Sequence, residues 1–431
     1  MKKINIVTLG CSKNTVDSEQ LGGQLSASGL EIIYDQYNYN AETVVINTCG
    51  FINDAKEESV NTILDFAQAK TEGKIKHLYV MGCLAERYKK DLEKDIPEAD
   101  EFFGVNNLKE VVETLQADYR KELIGERKLS AASHFAYLKI SEGCDRHCSF
   151  CAIPLIRGKH RSIPLEDLIS EAQKLADKGV KELILIAQDL SYYGLDLYKK
   201  PMLPELLEKL AKIKNLGRIR LHYAYPALFP EAVFKVMREH KNICNYIDIP
   251  LQHISDKMLK IMRRGYGKEK TLDIINKFRK EVPGVALRTT LLVGHPGETE
   301  ADFQELIDFV NEQKFERLGV FTYSHEEDTH AGDTMQDSIP EKEKNRRAEL
   351  IMDIQKKIAY EHNAEKIGKV FEVLIDREDD DFFVGRTEFD SPEVDNEVLI
   401  EKSKNMQRGE FYNIEITDAG DYELFGKLYN K

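Results

Sequence analysis

"ISEGCDRHCSFCAIPLIRG", residues 140–158, places Cys144, Cys148 and Cys151 within eight positions of a chain that has only seven cysteines. The stretch follows "YLKIS" (137–141), a short run that reads as a strand. In barrels of parallel strands, chemistry gathers at the carboxyl ends of the strands. Three thiols directly after a strand therefore mark a candidate metal centre, with soft ligands suited to an iron–sulfur cluster or to zinc. A structural zinc site would take His147 or His160 as its fourth ligand. Structural zinc usually pairs two CxxC-like hooks, and only one is visible here. Three ligands on a four-iron cluster leave one iron open, as a catalytic site requires.

The sequence around this stretch sets the architecture. After "YLKIS" come "ELILIA" (182–187), "RIRLHY" (218–223), "YIDIPL" (246–251), "ALRTTLLVG" (286–294) and "RLGVFTY" (317–323), with amphipathic segments between them. Six βα units are too few for a closed eight-stranded barrel, so the expectation is an open (β/α)6 partial barrel over 137–365, ended by a charged helix at about 341–365. Residues 1–125 alternate likewise: "INIVTLG" (4–10), "TVVINT" (43–48) and "HLYVMG" (77–82) are each followed by a helical pattern. That is a small doubly wound parallel sheet, giving an α/β fold class for the chain. Residues 126–136 lack periodicity and read as a linker. Residues 366–431 change to short alternating runs divided by Gly, Asp and Asn, which is a small all-β barrel or sandwich.

The remaining cysteines fall into place on this frame. Cys11, Cys49 and Cys83 are far apart in sequence, yet each stands just after a strand of the first sheet ("VTLGC", "VVINTC", "YVMGC"). Parallel strands bring their carboxyl ends to one crevice. One such cysteine would be a core residue by default; three of three point to a second three-cysteine centre. Cys244, alone in "KNICNYIDIP", reads as a buried core thiol.

Composition narrows the setting. The 431 residues are 42% hydrophobic and 32% charged, without tryptophan, as in a globular protein of about three domains. "MKKINIVTLG" is too short and too polar for a signal peptide, and no apolar run reaches the length of a membrane span. Clustered cysteines in such a chain are ligands or redox groups, so a cytoplasmic location is expected. The net charge is −14, and residues 366–431 hold 9 Lys and Arg against 17 Asp and Glu, a net of −8. Such a domain repels a phosphate backbone and attracts a basic protein.

Cys-x-x-x-Cys-x-x-Cys with Phe150 before the last cysteine resembles the radical S-adenosylmethionine superfamily. The two cysteine triads, the open barrel and the terminal β domain together resemble the methylthiotransferases over essentially the whole chain. The resemblance implies a 4Fe–4S cluster on Cys144, Cys148 and Cys151 that binds S-adenosylmethionine and yields a 5′-deoxyadenosyl radical. It also implies an auxiliary 4Fe–4S cluster on Cys11, Cys49 and Cys83, and a C-terminal barrel of the TRAM type. The reaction would insert a methylthio group into an unactivated C–H bond, with the cofactors carrying the hard step and no acid–base residue needed. Phe150, Gln188, Asp189 and Arg288 are the implied cofactor-binding residues; Gln188 and Asp189 would otherwise cap a loop. "IPLQHIS" (249–255) and "RTTLLVGHPGETEADF" (288–303) resemble stretches that line the S-adenosylmethionine pocket. His295 stands where the family leads one to expect Phe, and Asp328 where it leads one to expect Gly.

Two subfamilies compete. "GCSKNTVDSE" (10–19), "KISEGCDRHCSFCAIP" (139–154), "LHYAYP" (221–226) and "GRTEFDSPEVDNE" (385–397) are more similar to the RimO type, which modifies an aspartate β-carbon of ribosomal protein S-12, than to the MiaB type, which modifies isopentenylated adenosine in tRNA. The resemblance and the acidic terminal domain together imply that ribosomal protein as partner, with nucleic acid not a direct substrate. The resemblance also implies a low-potential electron donor such as flavodoxin or ferredoxin; a monomer is expected because no spare hydrophobic segment is visible, and no membrane because no apolar run is long enough to span one. A non-catalytic iron–sulfur or zinc protein is the alternative of a different class; it would not cleave S-adenosylmethionine.

Overall fold

The computed structural model describes residues 3–123, 125–130, 134–402 and 406–429. Strands β1 (Lys3–Thr8), β2 (Glu31–Tyr34), β3 (Thr43–Thr48), β4 (His77–Gly82) and β5 (Glu101–Phe103) form a parallel sheet in the order β2-β1-β3-β4-β5. Its strands are apolar on both faces because helices cover both. Val7, Val44, Ile46 and Val80 pack with Ile63 and Phe66 of the helix Asn53–Thr71. Ile4, Ile6 and Val45 pack on the other side with Leu21 and Leu25 of the helix Ser12–Ala27. Strand order reverses between β1 and β3, and at such a switch point the carboxyl ends open a crevice.

The second unit starts at β6 (Phe135–Lys139), two residues earlier than expected. A two-residue antiparallel pair, β7 (Ser141–Glu142) and β8 (Arg161–Ser162), brackets the cysteine loop. Then come β9 (Glu182–Ile186), β10 (Arg218–Leu221), β11 (Ile243–Asp248), β12 (Ala286–Val293) and β13 (Arg317–Thr322). With β6 they make one open parallel sheet, β13-β12-β11-β10-β9-β6, which is the expected six-stranded partial barrel. The helix Glu341–Ala364 lies along it, with Ile351 and Ile358 in the same core and Gln355 donating to the Phe315 carbonyl. Among the described residues, no helix is long and apolar enough to cross a membrane.

The expected linker is partly pinned. Arg127, buried, bridges Glu19 of the first unit and Glu171 of the second; residues 131–133 lie outside those described.

Five strands, β14 (Val370–Glu378), β15 (Phe382–Arg386), β16 (Glu397–Glu401), β17 (Phe411–Ala419) and β18 (Glu423–Leu428), close a barrel in the order β14-β15-β16-β18-β17. Closure removes the exposed strand edges that an open sheet of this size would carry. Its loop after β15 packs into the large barrel. Arg317 pairs with Asp390, Arg288 with Asp395, and Arg220 donates to the Glu388 carbonyl. Tyr246 donates to Asp395 at 2.8 Å, and His222 shares a 2.9 Å hydrogen bond with Ser391. Asp376 is held by Arg386 and His134. Asp376, Asp390 and Asp395 thus neutralise arginines at the base of the barrel or within the domain, while Glu372, Glu378, Asp379, Asp380, Asp381, Glu393, Glu401, Glu410 and Asp418 remain exposed.

Candidate active site: two facing cysteine triads

The first triad forms because glycines let three strand ends crowd together. Gly10 adopts φ +87°, and a Cβ there would stand 2.7 Å from Cys49 Cβ. Gly50 abuts the Cys83 backbone, where a Cβ would fall within 2.6 Å. A side chain at either position would push the strand ends apart. Asn14, fully buried on the helix after Cys11, ties the three ends together. Its amide donates to the carbonyls of Leu9 (2.8 Å) and Thr48 (3.0 Å), while its Oδ1 accepts from Cys83 Sγ at 3.8 Å.

The second triad lies on the irregular loop between β7 and β8. The Cys144 amide donates to the Gly158 carbonyl, and the Cys151 amide to the Cys148 carbonyl. The Ser149 amide reaches the Met262 carbonyl, anchoring the loop to the barrel. Arg264, buried beneath it, donates from Nη1 to Cys148 Sγ at 3.1 Å and from Nη2 to the Pro250 carbonyl at 2.6 Å.

Burial pushes the Cys83 and Cys151 thiols up to about 12 and Cys144 to about 11, and each is raised further by the other cysteines of its own triad. These sulfurs are thiolates only beside a strong positive charge, and binding of a metal group there would release protons. Among the described residues, no three His, Cys, Asp or Glu side chains converge tightly enough for a single metal ion. His160, the proposed fourth zinc ligand, instead shares a 3.0 Å hydrogen bond with Ser162 and packs on Tyr192. Three soft thiols at each site, with His160 engaged elsewhere, are the donor set of a thiolate-bound group such as a four-iron cluster.

The two triads adjoin the same short helix, Ile153–Arg157. Cys83 packs against Ala152 and Ile156, the residues that follow Cys151, with Phe51 and Val105 around them. The loop 323–331 seals the same junction: Glu326 pairs with Arg87 and Lys56 and accepts from the Ile52 amide at 3.0 Å. Ile52 has φ 60°, a strained setting for a β-branched residue, three positions after Cys49.

The other expected cofactor residues divide. Phe150 packs with Met258, Met262 and Leu292, edge-on to His295. Gln188 Nε2 donates to Glu142 at 3.1 Å, and its buried Oε1 has no partner among the described residues, so an acceptor is on offer beside the Cys144 loop. Asp189 is a cap: Oδ1 accepts from the Ser191 amide at 2.9 Å and Oδ2 from Arg146 at 3.0 Å. Arg288 is not brought to this mouth. It sits five residues before the end of β12, about 16 Å along a strand, and its guanidinium is taken by Asp248 and Asp395. His295 is buried and keeps the aromatic packing expected of Phe, against Phe150 and Tyr323, while sharing a 3.1 Å hydrogen bond with Ser149. Asp328 adopts φ 60°, the conformation a glycine would take and one Asp tolerates. Cys244 is a core thiol, packed on Tyr246 and Ala286. Arg157, Arg264 and Asn14 escaped the sequence reading, since nothing in their spacing marks them.

Comparison with known proteins agrees with this arrangement. Residues 138–310 match the radical SAM superfamily, 3–104 an uncharacterized family, UPF0004, and 367–428 the TRAM domain. A protein of Christiangramia forsetii named ribosomal protein uS12 methylthiotransferase RimO is 56% identical over 99% of this chain and 94% of its own length. One of the same name from Bacteroides thetaiotaomicron is 56% identical over 100% of this chain and 99% of its own. The radical S-adenosylmethionine methyltransferase TsrM of Kitasatospora setae shares the fold, with TM-score 0.56 over 77% of each chain at 15% identity. With such identity from end to end, the chain belongs to the RimO family of methylthiotransferases, within the radical S-adenosylmethionine superfamily.

Proposed function

We propose that this chain methylthiolates ribosomal protein uS12 at the β-carbon of an aspartate, with 4Fe–4S clusters on Cys144, Cys148, Cys151 and on Cys11, Cys49, Cys83. The observation that carries the reading is the packing of Cys83 against Ala152 and Ile156, directly behind Cys151. It leaves one short helix between the two sulfur sites. When bound, the clusters and S-adenosylmethionine supply the hydrogen-atom abstraction, the sulfur and the methyl group that an unactivated C–H bond demands.

The chain's own residues bind, orient and shield. Gln188, whose buried Oε1 is without a partner among the described residues, would accept from the ammonium of S-adenosylmethionine, and Phe150 would wall its pocket. Asp189 stiffens the loop by capping Ser191. Arg264 and Arg157 donate to Cys148 and Cys83, replacing water as hydrogen-bond donors to sulfur. The domain division is 1–125, 126–136, 137–365 and 366–431. Electrons come from a low-potential donor of the flavodoxin or ferredoxin kind, and the chain works as a cytoplasmic monomer.

Two substitutions test the assignment of the triads. Cys148→Ala abolishes S-adenosylmethionine cleavage by the reconstituted, reduced protein; cleavage at the normal rate would refute the assignment. Cys49→Ala spares cleavage and stops methylthiolation; normal iron content and product yield in that variant would remove the auxiliary site.

A further inference from the structure

Arg157 ends the helix Ile153–Arg157, six residues after Cys151, yet its guanidinium is directed at the other triad. Nη2 lies 3.5 Å from Cys83 Sγ and 2.6 Å from Asn14 Oδ1. Nη1 lies 3.0 Å from both Asp17 and Glu142. The side chain is 2% exposed. Asp17 and Glu142 also hold Lys139, so two carboxylates balance two cations without help from any sulfur. The guanidinium is a planar fork: fixing Nη1 between the carboxylates fixes the direction of Nη2. That nitrogen is aimed at a cysteine sulfur by residues from both units, Asp17 from the first and Glu142 from the second.

We propose that Arg157 is a positioning residue for the auxiliary cluster, its N–H···S bond to Cys83 raising that cluster's reduction potential independently of the radical cluster. The inference rests on the reading that Cys11, Cys49 and Cys83 hold a cluster. A hydrogen bond to a ligand sulfur stabilises the more negative, reduced form, and such bonds are among the factors that set cluster potentials. The radical triad has its own donor, Arg264 at 3.1 Å from Cys148, reaching it from a different element. Each site is thus tuned by a separate buried arginine.

The test is a redox titration followed by electron paramagnetic resonance on the full reconstituted chain, with Cys144, Cys148 and Cys151 replaced by Ala so that only the auxiliary signal is read. Arg157→Gln lowers the potential by about tenfold in the oxidised-to-reduced ratio, 59 mV for one electron, and Arg157→Lys recovers part of it. In the converse background, lacking Cys11, Cys49 and Cys83, Arg157→Gln leaves the radical cluster's potential in place. Asp17→Asn, which loosens the ion network but retains the donor, shifts the auxiliary potential less than Arg157→Gln does. An unchanged auxiliary potential in Arg157→Gln and Arg157→Lys overturns the proposal. So does an equal shift of both clusters, or an equal shift in Asp17→Asn. If Arg157→Gln assembles no cluster, the Lys variant against its parent decides by the same criterion. Absence of any cluster from the parent's first triad would instead overturn the reading of the site itself, and the proposal with it.

Discussion

Replacing Asp390 with Asn asks how firmly the inward-turned carboxylates of the terminal domain tie it to the barrel. Asp390 is fully buried, and Arg317, 5% exposed, pairs with it through two guanidinium nitrogens. Thr387 donates to the same carboxylate at 2.5 Å. Asn keeps the shape and removes the charge, leaving Arg317 buried without its counter-ion. Breaking a buried pair in this way costs about 3–5 kcal/mol. The chain has several units, so a single unfolding transition is not assumed. Native-state hydrogen exchange on peptides covering 387–396 and β13 reads the local cost instead. A loss of about 3 kcal/mol accelerates exchange on the order of a hundredfold where those amides open through this contact. Adding Arg317→Met removes the stranded charge, so the double variant is less destabilised than the two single losses summed. Unchanged exchange in Asp390→Asn would refute the reading of Asp390 as the buried counter-ion of Arg317.

Two more predictions follow from the junction between the triads. Burial would raise Glu142, but the Lys139 ammonium and the Arg157 guanidinium overcome it and hold the carboxyl at about 2. A depressed carboxyl contributes stability that is present above its unfolded value, about 4.5, and is lost as pH falls through about 2. At about 1.36 kcal/mol per unit the contribution is at most about 3 kcal/mol. Urea unfolding of the apoprotein should therefore show Glu142→Gln weaker than the parent at neutral pH, with the gap narrowing as pH falls below about 4.5; a gap constant with pH would contradict this. Glu326→Gln leaves Arg87 and Lys56 without their carboxylate and relaxes the strained Ile52, so amides 49–56 should exchange faster by at least tenfold, while β9 and β10 do not change.

Much of this architecture was legible because strand runs and cysteines coincide. "VVINTC" and "YVMGC" announce both a strand and the ligand at its end, and the doubly wound order then brings Cys11, Cys49 and Cys83 together. The edge strands β2 and β5 were missed because four and three residues carry too little periodicity to stand out. The six barrel strands were all visible as apolar runs between amphipathic helices. Net charge does not say which acidic side chains turn inward: Asp376, Asp390 and Asp395 are claimed by arginines more than fifty residues away or across a strand pair, which composition does not encode. The ion pairs of Arg288 were hidden for the same reason, since its partner Asp395 belongs to another domain. Asp189 shows the limit on a smaller scale: cap and ligand share one residue type, and only the Ser191 amide and Arg146 reveal the cap.

The most direct measurement is a competition by mass spectrometry. Reconstituted, reduced protein is given S-adenosylmethionine, a peptide from the loop region of ribosomal protein uS12 that carries the aspartate, and isopentenylated tRNA together. A methylthio mass gain on the peptide's aspartate alone is the predicted result. A gain on the tRNA alone would contradict the substrate, and the absence of any S-adenosylmethionine cleavage would contradict the two triads as a catalytic pair.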